Sequence, residues 1–113
     1  IHCTKDTPND LAYFRSILYA SEEQHIIADR FCYGQFVYQS EEERKLTQDE
    51  LYRLEADMLN MGAKVVYVTA SEKTIETRLN KRNEIPMYPV KELLERFDTV
   101  MKQSTLQIEI WRT

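Results

Sequence analysis

The stretch Ala63-Lys64-Val65-Val66-Tyr67-Val68-Thr69 is apolar almost throughout and rich in branched side chains. That is the composition of a strand buried on both faces of a parallel sheet, not of one that alternates between core and solvent. Helix boundaries bracket it. Upstream, Thr47-Gln48-Asp49-Glu50 reads as a capping box; Leu51, Leu54, Met58 and Met61 follow at helical spacing, and Gly62 stands just past the helix end. Downstream, Ser71 caps a helix from Glu72 to about Asn83, with Ile75 and Leu79 on one face. Helix, strand and helix in succession predict an α/β fold whose sheet is mostly parallel and doubly wound in three layers. A chain of 113 residues holds one core but not two, so residues 1–113 are expected to form a single domain.

The remaining elements fit the same alternation. Ile1 to Thr4 has the look of a short strand. Thr7 as N-cap, Pro8 at the first helical position and Asp10 in the capping-box position then start a helix that carries Leu11, Phe14, Ile17 and Leu18 to about Ala20. Ile26-Ile27-Ala28 reads as a second buried strand. Ser40 to Lys45 is a polar loop, and Pro89 starts a helix with the stripe Val90, Leu93, Leu94, Phe97, Val100 and Met101. From Thr105 to Trp111 apolar and polar residues alternate, as in a half-covered strand near a sheet edge. Met58 and Met61 are read as core filling.

Bulk properties narrow the function. The net charge of −4 argues against a nucleic-acid polymer or an anionic membrane as partner. No apolar run approaches the ~18 residues of a membrane span, and no signal peptide is visible. Two cysteines, Cys3 and Cys32, are too few and too scattered for a disulfide framework or a zinc site, which makes a reducing, cytoplasmic setting the expectation.

The strand Ile26–Ala28 stops at the charged pair Asp29-Arg30, and in open parallel sheets the carboxyl ends of strands face the ligand crevice. An acid and a base there are either a site or a surface ion pair. The continuation, Phe31-Cys32-Tyr33-Gly34-Gln35-Phe36-Val37-Tyr38-Gln39, resembles the motif of thymidylate kinases, in which Asp-Arg-aromatic is followed by two residues, Ser, two residues and Ala-Tyr-Gln. Asp29, Arg30, Tyr38 and Gln39 match in type and spacing; Val37 stands for the Ala and Gly34 for the Ser, which removes a hydroxyl near the substrate.

Further along, Arg78, Lys81 and Arg82 gather on one side of the last turns of their helix. Cations at a helix C-terminus are favoured by its dipole by ~0.3–1 kcal/mol each, which is one explanation. The other is that Arg78-x-x-x-Arg82 is similar to the lid of nucleotide kinases, where arginines close over the transferring phosphoryl group. Forked guanidinium donors that never deprotonate suit that task. Asn83 to Pro89, with two prolines and no helical pattern, would complete a mobile lid over residues 78–89.

The resemblance implies a P-loop nucleotide kinase fold and, for the intact protein, phosphoryl transfer from ATP to a deoxynucleoside monophosphate such as dTMP, with Mg2+. It implies a catalytic set of Asp29, Arg30, Arg78 and Arg82, with Asp29 also near the metal. Arg30 would hold the acceptor phosphate, Tyr38 would pack near the sugar 2′ position, and Gln39 would support the pocket. An aromatic and an arginine of the preceding helix, for which Phe14 and Arg15 are the candidates, would meet the base and the phosphate; the alternative is that Phe14 is core and Arg15 lies on a solvated face. A homodimer is the assembly that the resemblance suggests. No G-x-x-x-x-G-K-[ST] occurs, and with Gly34 and Gly62 as the two glycines none could form. The first strand and the Walker A loop of such a kinase therefore have no counterpart here. The expectation is that roughly 20–50 upstream residues supply them, one βα unit with its loop, and that this chain alone is inactive. The alternative is a kinase-derived nucleotide-binding or regulatory module without catalysis.

Overall fold

The computed structural model describes residues 8–113. In chain order the elements are α1 (Leu11–Ala20), α2 (Gly34–Tyr38), α3 (Gln48–Asn60), β1 (Val66–Thr69), α4 (Glu72–Lys81), α5 (Val90–Gln103) and β2 (Glu109–Arg112). The strand expected at Ile1–Thr4 and the cap at Thr7 lie outside the described residues. Within them it is Asp10 that caps α1, its carboxylate accepting from the Tyr13 amide at 2.7 Å, and Pro8 precedes the helix instead of opening it.

Local signals set the helix ends. Thr47 and Glu50 form both halves of the capping box on α3. Gly62 takes the left-handed conformation (φ 73°) while the Ala63 amide donates back to the Met58 carbonyl, closing α3 with a Schellman turn. α4 ends the same way with Asn83 (φ 54°) in the left-handed position and the Glu84 amide on the Leu79 carbonyl. Ser71 caps α4 and Pro89 precedes α5, as their sequence positions predict.

β1 and β2 run parallel, with Val66 opposite Glu109 and Thr69 opposite Arg112, and α4 and α5 form the crossover between them. The described fold is thus a small α/β unit with a two-stranded parallel sheet. Two strand expectations are corrected. Ile26–Ala28 does not belong to this sheet, although Asp29 after it makes an isolated bridge, and Ile27 is 88 % exposed; a three-residue apolar run has strand chemistry, but burial requires layers on both sides. β1 is not covered on both faces either, since Val68 is 59 % exposed opposite an equally open Trp111. One face of the sheet is served by α5, where Tyr67 stacks on Phe97 with ring centroids 6.1 Å apart. β2 is exposed along its whole length.

The core sits among the helices. Phe14 and Leu18 of α1, Cys32, Tyr33 and Val37 around α2, Leu46, and Leu51, Leu54 and Met58 of α3 form one buried cluster, closed by Val100 of α5. Each fully buried large apolar side chain in it contributes about 1.5–3 kcal/mol relative to exposure. α1 packs on α3, and α5 packs against both α2 and α4, so α5 joins the helical core to the sheet side.

Candidate functional site

Asp29 and Arg30 lie at an exposed corner just before α2. Arg30 (φ 64°) and Phe31 (φ 42°) are both left-handed, a conformation that costs L-residues roughly 1–2 kcal/mol each. Two consecutive non-glycine residues in that region form a sharp turn that lifts the Arg30 side chain back over α2. There its guanidinium lies 5.7 Å from the centroid of the Tyr38 ring, within cation–π range. Gly34 sits beneath the pair; a Cβ there would stand 3.8 Å from the Arg30 Cβ and 4.0 Å from the Tyr38 ring, which is ordinary contact.

The corner is tied down from below. Phe31 packs edge-on against Phe14 at 4.8 Å between centroids, and the Tyr33 amide donates to the Arg30 carbonyl at 3.2 Å. The buried Tyr33 hydroxyl donates to Oε2 of Glu55 at 2.7 Å. Burial above all pushes the Tyr33 phenol far above its ordinary value, with the neighbouring Cys32 and the Glu55 carboxylate adding to the effect. Glu55 itself is fully buried and also accepts from the Ser104 hydroxyl and from the amide and hydroxyl of Thr105, each of the latter at 3.0 Å. On the other side of α2, Gln35 donates to the Asn9 carbonyl at 2.6 Å and accepts from the Lys45 amide at 3.1 Å.

The other residues singled out in the sequence are distributed as follows. Phe14 is fully buried between Tyr13 and Phe31, so its ring offers no face to a base; the stacking role is corrected to a core role. Arg15 is engaged by Asp57 of α3 at 3.0 Å, half in solvent. Tyr38 rests edge-on against Phe97 of α5 at 5.8 Å, and Gln39 ends α2, its amide on the Gln35 carbonyl. Arg78 donates to the Thr113 hydroxyl at 3.0 Å, and Arg82 lies 3.7 Å from the Glu84 carboxylate, both in exposed settings. Structure therefore brings Arg30 and Tyr38 together, while Arg78 and Arg82 are engaged by Thr113 and Glu84. Between α4 and α5, Ile85 and Met87 are open to solvent and Tyr88 stacks on Arg96 at 3.9 Å.

Glu55 and Arg96 escaped the sequence reading. Glu55 could have been found, because it falls on the apolar stripe of Leu51, Leu54 and Met58, where a charge is out of place unless it is paired. Arg96 donates to the Val37 carbonyl at 2.9 Å and to Glu92 at 2.8 Å, linking α5 to α2. Its only sequence signal is the i, i+4 spacing from Glu92. An open cleft of about 420 Å3 lies on the Phe36 side of α2, lined also by Arg44, Gln48, Glu92, Arg96 and Thr99. It does not include Asp29, Arg30 or Tyr38. Among the described residues no group of three or more His, Cys, Asp and Glu is gathered to hold a metal, and no helix is long and apolar enough to cross a membrane.

Fold and corner together describe a small α/β protein with a helical core beside a parallel strand pair, an architecture compatible with nucleotide-binding α/β proteins. No family model matches the chain. It is similar to the SPbeta prophage-derived uncharacterized protein YorR of Bacillus subtilis (strain 168), 29 % identical over 96 residues, which is 82 % of this chain and 58 % of that protein. A crystal structure of Bacillus subtilis YorR in complex with phosphorylated GDP superposes with a TM-score of 0.74 at 30 % identity, covering 91 % of this chain and 59 % of that one. The chain thus spans somewhat over half the length of these relatives.

Proposed function

We propose that the intact protein binds a nucleotide at the Asp29–Arg30 corner and transfers a phosphoryl group from ATP to a deoxynucleoside monophosphate. The observation that carries this reading is the likeness, over 91 % of the chain, to a protein crystallised with phosphorylated GDP, combined with an exposed arginine held on a strained turn over an aromatic ring. Strain of this kind concentrates at ligand sites, where the surrounding structure supports a conformation the chain alone would avoid. In this reading the Arg30 guanidinium binds the acceptor phosphate with its forked donors, and Tyr38, fixed by Phe97, packs against the sugar. Arg78 and Arg82 belong to a lid of residues 78–89 that moves toward the phosphates when both nucleotides are bound. Their contacts to Thr113 and Glu84 are exposed and therefore weak enough to exchange for phosphate.

Asp29 is the carboxylate that would hold Mg2+. A single carboxylate fits this ion, which keeps most of its waters and is otherwise bound by nucleotide phosphates. When bound, the ion offsets the charge on the transferring phosphoryl group. The guanine nucleotide of the solved relative makes guanine nucleotides, with dTMP, the first acceptors to try. A second reading is nucleotide binding without catalysis, which the likeness to a protein crystallised with a nucleotide supports as well.

The test is titration of the intact protein with dGMP, dTMP, GDP and ATP, with and without Mg2+, followed by thermal melting and by an assay for ADP release. A ligand at a hundred times its Kd should stabilise the fold by about 2.7 kcal/mol, and Arg30→Ala should weaken acceptor binding and turnover tenfold or more without unfolding the protein. Binding without ADP release selects the non-catalytic reading. No response to any of the four nucleotides refutes both.

A further inference from the structure

The corner that presents Arg30 is costly, and its cost is met by one buried contact. Arg30 and Phe31 would each relax from positive φ if the chain around them were free to move. The Phe31 ring is held by Phe14, but an aromatic edge contact tolerates rotation. Tyr33 is more exacting. Its amide is bonded to the Arg30 carbonyl, its side chain is 5 % exposed, and its hydroxyl reaches Glu55 in the middle of α3 at 2.7 Å. Glu55 is an immobile acceptor, because the Thr105 amide and hydroxyl grip its other carboxylate oxygen from the segment after α5. Tyr33 also adjoins the first residue of α2, the helix that carries Tyr38 under the guanidinium. Arg30 and Tyr38 thus both hang on the same phenol.

We infer that the Tyr33–Glu55 hydrogen bond holds the left-handed Arg30 corner in place, which makes Tyr33 and Glu55 positioning residues for the Arg30 guanidinium. Its functional half rests on the reading that Arg30 meets a nucleotide phosphate.

The experiment compares Tyr33→Phe with Ser104→Ala in the intact protein. Each removes one hydroxyl from the same Glu55 oxygen, but only the first touches the corner. Two quantities are read: amide hydrogen exchange at residues 29–34 by NMR, and affinity for GDP and dGMP. Tyr33→Phe should speed exchange across 29–34 and weaken nucleotide binding by about tenfold each, the equilibrium equivalent of one hydrogen bond to a charged group, with Ser104→Ala at wild-type values for both. Wild-type exchange in Tyr33→Phe, or equal loosening of 29–34 by the two variants, overturns the inference, since Glu55 would then be a general structural hub. Faster exchange with unchanged nucleotide affinity overturns the positioning role. If the wild-type protein binds neither nucleotide and Tyr33→Phe alone loosens 29–34, the phosphate reading fails while the anchoring of the corner stands.

Discussion

Removing the Glu55 carboxylate should be among the most damaging single changes this chain can suffer. The side chain is fully buried and accepts from four donors: the Tyr33 and Ser104 hydroxyls on Oε2, and the Thr105 amide and hydroxyl on Oε1. In Glu55→Ala the Ser104 and Thr105 hydroxyls, which lie nearer the surface, can turn to other partners. The Tyr33 hydroxyl, buried at 5 % exposure, cannot, and a buried unsatisfied donor costs about 1–3 kcal/mol. With the lost packing of the side chain, the expected destabilisation is about 4 kcal/mol, a large share of the ~5–15 kcal/mol that holds a domain of this size. Glu55→Gln is the informative companion. Its amide oxygen keeps both Thr105 donors, its NH2 group donates to the two hydroxyls and the side chain still fills its space, so the loss is the acceptor of the Tyr33 O–H together with the charge-assisted strength, about 2 kcal/mol. The assay is equilibrium urea unfolding of the intact protein, read as a shift of the midpoint at constant slope. A cost below about 1 kcal/mol for alanine, or a glutamine variant as damaged as the alanine one, would refute the view that four satisfied donors make this charge tolerable.

Three further outcomes are expected. The raised Tyr33 phenol stays protonated in the folded protein while the unfolded chain loses that proton near pH 10, so its contribution to stability should be constant below about pH 10 and fall above it by up to ~1.4 kcal/mol per pH unit; urea midpoints measured above and below pH 10 check this, and Tyr33→Phe should abolish its share of the slope. At position 30, where φ is positive, Arg30→Gly should be more stable than Arg30→Ala by about 1 kcal/mol. Thermal melts compare the two, and an alanine variant that melts at or above the glycine one contradicts the strained corner. Thr47→Ala breaks the capping box of α3 and should cost about 1 kcal/mol in urea unfolding, with Thr47→Ser restoring most of it.

Features whose cause is local could be read directly from the chain. The Thr47–Glu50 box, the left-handed Gly62, the Ser71 cap and the Pro89 helix start each depend on a few adjacent residues, and each stands where its spacing puts it. What could not be read depends on contacts between distant segments. Ile26–Ala28 has the composition of a strand, yet Ile27 is open to solvent because composition says nothing about which layers cover it. Phe14 was a candidate for base stacking, but the neighbour that decides its role, Phe31, is seventeen positions away and is turned inward by a left-handed backbone. The five-residue α2 is too short to show a helical period, and the pairing of Arg15 with Asp57 joins helices 42 positions apart in the chain.

The placement of glycine around the candidate site runs against local preference, and that contrast bears on function. Position 30 is left-handed and would be most cheaply filled by glycine, but it carries arginine; position 34, at the start of a helix with room for a Cβ, carries glycine. A side chain is therefore present where the backbone resists one, a contrast that supports the role proposed for the guanidinium. The support it needs comes from two directions. Tyr33 and Glu55 anchor the turn to α3, while Arg96 of α5 donates to the Val37 carbonyl next to Tyr38 and stacks on Tyr88 in the segment before its own helix. Arg96 thereby touches both α2 and the connection that follows Arg78 and Arg82. If residues 78–89 shift when nucleotide binds, the Tyr88–Arg96–Val37 contact is the described route by which that shift would reach the Tyr38 side of the corner.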